Sequence, residues 1–235
     1  MRLLPVIAAG LMTLHAASVQ AAAPTRIQAR YDVSDSGLKV AVIDETFIRN
    51  GDHYHIESVT RPYGLLALLK HEVIRVSSDG TITPAGLKPQ VFDTTRKQDA
   101  DRNAHAEFDW TKATITLTDR NGTRTLPLRN GTQDRLSAMY QFMFVPLQHA
   151  KWLKFDMTNG SKVDDYSYQI TPGIKVKVPL GTFHSYYLAS PKEKTPHRTE
   201  IWLATGRGNF PCKMIVTESN GDRYTQDLTL LNIEP

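Results

Sequence analysis

The chain has 235 residues, of which 40% are hydrophobic and 22% charged, with a formal net charge of +4. That composition supplies a substantial apolar core, while the mild and scattered positive charge excludes a nucleic-acid footprint. A single cysteine, Cys212, excludes an internal disulfide.

The first two dozen residues read as a targeting segment. Arg2 precedes an apolar run from Leu3 to Leu14, and a small-residue stretch follows, ending Val19-Gln20-Ala21-Ala22-Ala23. A basic start, a short apolar centre and an Ala-x-Ala-like exit describe a cleaved secretory signal peptide. The run is too short for a bilayer span, which needs ~20 residues. Residues 1–21 are therefore expected to be removed, with cleavage after Ala21 or as late as Ala23, and residues 24–235 to form one β-rich periplasmic domain. No later segment is apolar and long enough for a transmembrane helix. Cys212 lies too far from the leader to accept a lipid anchor, and it reads as a small buried hydrophobe within a strand.

Downstream, the sequence alternates strand patterns with tight turns. Asn-Gly pairs at 50–51, 121–122, 130–131, 159–160 and 220–221, together with Asp79-Gly80, favour two-residue hairpins. Strands are expected over 38–48, 53–61, 70–77, 104–110, 151–157, 164–171, 182–189, 199–204 and 212–218. Ile115 and Leu117 alternate with threonines, as do Ile174, Val176 and Val178 with lysines, the pattern of half-buried strands. Near the end, Tyr224, Leu228 and Leu230 are expected to share one face. The charged stretch 94–103 reads as a solvated loop.

Residues 132–145 break the pattern. Leu136, Met139, Tyr140, Met143 and Phe144 fall at helical spacing, Thr132 or Asp134 can cap the start, and Pro146 ends the segment. Phe142 and Val145 make the opposite face apolar too, so the helix is expected to lie inside a curled sheet. The resulting fold class is mainly β: a single domain, an antiparallel spiral or half-open β-barrel with one central α-helix.

Candidate chemistry is sparse. His53 and His55 share a strand face and could contribute to a metal site with His71, His184 or Glu57, but two ligands alone do not make one, and no metal or other cofactor is expected. Asp101, His105 and Glu107 straddle a loop–strand junction, and adjacent Asp164 and Asp165 point to opposite faces. Neither Gly-x-Ser-x-Gly nor Ser-x-x-Lys occurs, Gly206-Arg207-Gly208 lacks the phosphate-loop pattern, and no residue is assigned a catalytic role. The tripeptides at Asn121, Asn130 and Asn159 match glycosylation acceptors and read as turns. The aromatic residues Tyr140, Phe144, Trp152, Tyr168 and Tyr186, with Tyr166 and Tyr187, are candidates to line an apolar cavity inside the sheet.

Several phrases in succession resemble an exported bacterial family, domain of unknown function 3108 (DUF3108). They are Ser78-Asp-Gly-Thr-Ile-Thr-Pro-Ala-Gly-Leu-Lys-Pro89, Glu107-Phe-Asp-Trp110, Asn130-Gly-Thr-Gln-Asp-Arg-Leu-Ser-Ala-Met-Tyr140, Val178-Pro-Leu-Gly-Thr-Phe183 and Thr199-Glu-Ile-Trp-Leu-Ala204. The resemblance implies a periplasmic spiral or half-open β-barrel around a helix, similar in outline to periplasmic lipoprotein carriers and to proteins supporting envelope integrity. It brings no catalytic residues. The expectation is a non-enzymatic envelope protein that binds an apolar, lipid-like or envelope-derived ligand, or an envelope protein. The competing expectation is an assembly factor acting only through protein contacts; nucleic acid is not an expected partner.

Overall fold

A computed structural model describes residues 23–64, 67, 72–191 and 197–235. The expected signal peptide and His71 lie outside them. Fifteen strands form one sheet: β1 (Arg26–Asp35), β2 (Leu38–Asn50), β3 (His53–Pro62), β4 (Ile74–Thr83), β5 (Gly86–Arg96), β6 (Ala104–Asp109), β7 (Thr114–Asp119), β8 (Gly122–Pro127), β9 (Gln133–Asp134), β10 (Trp152–Thr158), β11 (Val163–Val178), β12 (Gly181–Ala189), β13 (Arg198–Ala204), β14 (Phe210–Thr217) and β15 (Arg223–Glu234).

The order is β8 back to β1, then β15 back to β9, so chain neighbours pair except β8 and β9, and β1 joins β15. Every pairing is antiparallel except β9–β10. The two ends of the sheet, β8 and β9, are not paired with each other, so the sheet curls without closing. This is the half-open arrangement expected from hairpin-rich sequence.

Strand alternation sets the inner face. Ile27, Ala29, Tyr31 and Val33 of β1, Ala104, Ala106 and Phe108 of β6, and Ile115 and Leu117 of β7 are buried, with their neighbours less so. The terminal strand departs from the expectation. Leu228 is buried but Leu230 is exposed, because the β1–β15 register slips between Arg30 and Tyr31. The extra residue, Thr229, reverses the parity and brings Leu231 against the core instead.

Four strands were not expected from the sequence, β1, β5, β8 and β9, and one turn was misplaced. Asp79-Gly80 lies within β4 at a register shift and does not make a hairpin. A Cβ on Gly80 would stand 2.3 Å from the Lys88 carbonyl oxygen and 2.9 Å from Tyr54 Cε1, so glycine serves close packing of β3, β4 and β5 there. The β4–β5 connection falls instead at residues 84–85.

The helix is shorter than expected. Within 132–145 only Ser137–Gln141 (α1) are α-helical; Gln133 and Asp134 pair with Met157 and Thr158 as β9, and residues 142–144 are turns. The cap is Asp134, whose Oδ1 accepts from the Leu136 and Ser137 amides at 2.8 and 2.7 Å; Thr132 bonds the Arg129 carbonyl. The segment is nevertheless enclosed: Leu136, Ser137, Ala138, Tyr140 and Phe142 are buried, and α1 contacts both β5 and β14, from opposite wings of the sheet. Gln141 fastens β5 to it, accepting from the Leu87 amide at 2.7 Å and donating to the Ala85 carbonyl at 2.8 Å. Gly86 has φ +103°, and a Cβ there would collide with that glutamine.

Candidate functional site

One cavity of about 450 Å³ lies apart, beside Lys88, Gln90, Phe108 and Trp110; four others border residues 129–145. The largest, about 480 Å³, opens between the end of β5 (Thr94, Arg96), the turn Asp101–Asn103, the β7–β8 turn (Asp119, Arg120, Asn121), Arg135, and the β10–β11 turn (Asn159, Ser161). Arg124 of β8 donates to the Ser161 carbonyl across this seam. Arg135 is placed by its own backbone, whose amide bonds the Thr158 carbonyl at 2.9 Å just beyond β9. Its side chain is exposed to solvent where it lines the cleft. The surrounding protein, and then Arg96 nearby, pull its guanidinium below the ordinary arginine value.

Arg96 and Arg135 also line a smaller inner chamber of about 120 Å³, bounded by Ile43, Ile74, Val76, Leu136, Met139 and Met214, with Glu45 inside it. Glu45 accepts from Ser58 Oγ at 3.2 Å and from the Tyr140 hydroxyl at 3.3 Å. Burial outweighs these bonds and Arg135's attraction, raising its carboxyl from 4.5 to about 7. Folding thus favours the protonated form, so the contribution of this site is full below about pH 4.5 and is lost as pH rises through 7. The urea midpoint is expected to fall between pH 5 and 8, and Glu45→Gln to flatten that decline. A variant that declines as steeply as the parent chain would refute the assignment.

A third pocket, about 160 Å³, is apolar and lies between α1 and β10, lined by Ala138, Phe142, Val145, Leu153 and Phe155 among others. A fourth, beside Arg129, holds a carboxylate pair that adjacency in sequence does not reveal. Asp156 and Asp165 face each other across β10–β11, and Arg129 Nη1 reaches both, at 3.3 and 2.9 Å. Burial and then Asp165 raise Asp156, while Asp165 itself is lowered by its hydrogen bond with Asp156 and by Arg129.

The aromatic candidates do not converge on one cavity. Tyr140 is fully buried, stacked on Phe47 with centroids 5.4 Å apart and edge-on to Phe210 at 5.7 Å. Phe144 packs at the margin of the same core. Tyr168 is buried in a second cluster beside Phe155 and Tyr166, and Tyr186 packs partly buried against that cluster. Trp152 is exposed. Tyr187 sits against Trp202 and bonds Glu200. Because adjacent aromatics stack on one another, they fill the space that a cavity would need.

The candidate histidines His53, His55 and His105 take carboxylate partners. His55 Nδ1 meets Asp79 at 2.7 Å, and exposed His53 lies 3.6 Å from Asp52. His105 joins Asp93 at 2.8 Å and Glu107 at 3.3 Å on the outer face of the sheet, while Asp101 stands apart at the seam cleft. Burial lowers His105, but the two carboxylate hydrogen bonds outweigh it and the net shift is upward. Among the described residues, no three metal-ligating side chains gather in one place. Cys212 is fully buried, donating to the Trp202 carbonyl at 3.3 Å, and burial pushes its thiol up to about 12, far from a nucleophilic range. The Asn121 and Asn159 tripeptides occupy the β7–β8 and β10–β11 turns.

Fold and seam together define a β-barrel-like protein: one curled, unclosed sheet wrapped on a short helical segment. The chain belongs to the family described as Protein of unknown function (DUF3108), whose model matches residues 28–229. No curated protein matches it. Among solved structures it is similar to the crystal structure of a beta-barrel-like protein of domain of unknown function DUF1849 from Brucella abortus. The TM-score is 0.57 with 12% identity, covering 91% of this chain and 99% of that one, a likeness of fold alone.

Proposed function

We propose that this chain is a non-enzymatic, exported protein of the bacterial cell envelope that holds an envelope-derived, amphipathic ligand along the seam of its sheet. The observation that carries this reading is the concentration of cavities around residues 129–145: the polar cleft, the inner chamber, the apolar pocket against α1 and the recess at Arg129 all border that segment. Their mixture of guanidinium groups and apolar walls suits a ligand with a polar head and a greasy part. The leader-like N-terminus supports export to the periplasm. A buried Cys212 thiol and the lack of a nucleophile motif support binding over catalysis.

The competing reading, an assembly factor acting through protein contacts, draws on the outer edge of β8, which pairs only with β7. That edge is short, and it carries Arg124 and Pro127, features that discourage strand addition. Expressing the full chain in a bacterium, purifying it from the periplasm and weighing it by native mass spectrometry tests the proposal. The expected result is a processed chain beginning at residue 22 or 24 with a small-molecule adduct. An unprocessed chain, or a processed one that carries no adduct and binds no envelope extract, would sink it.

A further inference from the structure

We propose that the seam cleft is a binding site for a phosphate-type oxyanion, a phosphomonoester or phosphodiester, with Arg135 as its principal contact. This rests on the binding reading above and names the chemistry of the ligand.

The first argument is charge. Arg96, Arg102, Arg120 and Arg135 face the cleft against only Asp101 and Asp119. Asp119 is already engaged by Arg124 at 3.0 Å, and Arg96 by Glu72 at 2.9 Å. Arg135 has no ion pair or side-chain hydrogen bond among the described residues, although Glu45 and Asp134 attract it from farther off. Arg135 is exposed where it lines the cleft, so its guanidinium fork is open to a ligand, and an oxyanion would supply both an opposite charge and two parallel acceptors.

Hydrogen-bond polarity is the second, independent argument. Asn103 spends its carbonyl oxygen on the Arg96 amide at 2.6 Å, and Asn159 spends its own on the amides of Ser161 and Lys162. What both asparagines have left is an NH2 donor. Thr94 is more than nine-tenths buried, lines the cleft, and its hydroxyl has no hydrogen-bond partner; neither does Arg96 Nε. Buried polar groups are ordinarily satisfied, so two orphans in one cleft point to an absent acceptor. A tetrahedral oxyanion uses more of these donors than a carboxylate can. A cleft of about 480 Å³ also leaves room for whatever the phosphate is attached to.

The test is isothermal titration of the mature chain at constant ionic strength, with three probes: inorganic phosphate, glycerol phosphate, and phosphatidylglycerol diluted in phosphatidylcholine vesicles. At least one probe is expected to saturate, with affinity weakened about tenfold or more in Arg135→Gln and unchanged in Arg223→Gln, an exposed arginine outside the cleft. Arg135→Lys, which keeps the charge and loses the fork, and Thr94→Val are expected to weaken it several-fold while folding normally. Saturation by vesicles alone identifies a lipid headgroup; saturation by the small phosphates identifies a free ester. If no probe binds, or if Arg135→Gln binds as the parent chain does, the inference is overturned. A phosphorus-free adduct seated in the cleft would overturn it too while leaving the binding function intact.

Discussion

Replacing Asp134 by alanine is expected to lower the unfolding free energy by about 3 kcal/mol, the joint cost of a lost cap and of buried groups left unpaired. Asp134 is fully buried, and it ties three elements together. Oδ1 accepts from the Leu136 and Ser137 amides that open α1, and Oδ2 accepts from Ser78 of β4 at 2.6 Å, which in turn meets the Tyr54 hydroxyl of β3 at 3.2 Å. Alanine strands all of these donors at once, away from water. Asp134→Asn should cost much less. Burial raises the Asp134 carboxyl, so the site already disfavours the charge. An amide keeps the acceptor that caps the helix, and the Ser78 hydroxyl can rotate to accept from its NH2. Urea unfolding followed by tryptophan fluorescence measures both. Equal losses for the two variants would show that charge, rather than the hydrogen-bond pattern, matters at this position.

Asp134 also explains why part of the fold was legible in the sequence and part was not. The period of Leu136, Met139, Tyr140, Met143 and Phe144 marks an enclosed segment correctly, because burial follows hydrophobicity. Its helical length was not legible, since Gln133 and Asp134 take a strand pairing with β10 whose partners lie more than twenty positions away. Likewise, four of the Asn-Gly pairs sit at hairpin turns, joining β2–β3, β7–β8, β10–β11 and β14–β15, while Asn130-Gly131 leads from β8 to β9. Asp79-Gly80 carries the same local signal in a position where glycine answers to packing against Lys88 and Tyr54. The seam cleft was less legible still. Arg96 and Arg102 share one charged stretch, but Arg120 and Arg135 come from elsewhere in the chain, and the curl of the sheet unites the four. One signal was available: Asp134-Arg135 is a charged pair at the mouth of a segment otherwise apolar on nearly every side, and such a pair needs a buried reason. The aromatic residues misled for a related cause. Their number reflects the volume enclosed by the sheet, and stacking among themselves fills it.

Tyr140 is where that filling matters most, and Tyr140→Ala is expected to destabilise by about 3–5 kcal/mol, the usual range for a large aromatic removed from a packed core. The ring stacks on Phe47 of β2 and meets Phe210 of β14 edge-on, so a single side chain of the helical segment joins the two wings of the sheet. Within the sheet, those wings are continuous through the β1–β15 pairing. The hydroxyl has a separate role, donating to Glu45 at 3.3 Å in the inner chamber. Tyr140→Phe keeps the ring and removes that bond, for a cost of about 1 kcal/mol. Because the bond favours the ionised carboxylate, its loss should push the Glu45 carboxyl further up and move the pH-dependent loss of stability to higher pH. The two variants therefore separate packing from electrostatics: alanine lowers stability at every pH, whereas phenylalanine chiefly displaces the pH profile. Urea midpoints measured from pH 5 to 8 check both, and a phenylalanine profile superimposable on that of the parent chain would mean that the tyrosine hydroxyl has no influence on Glu45.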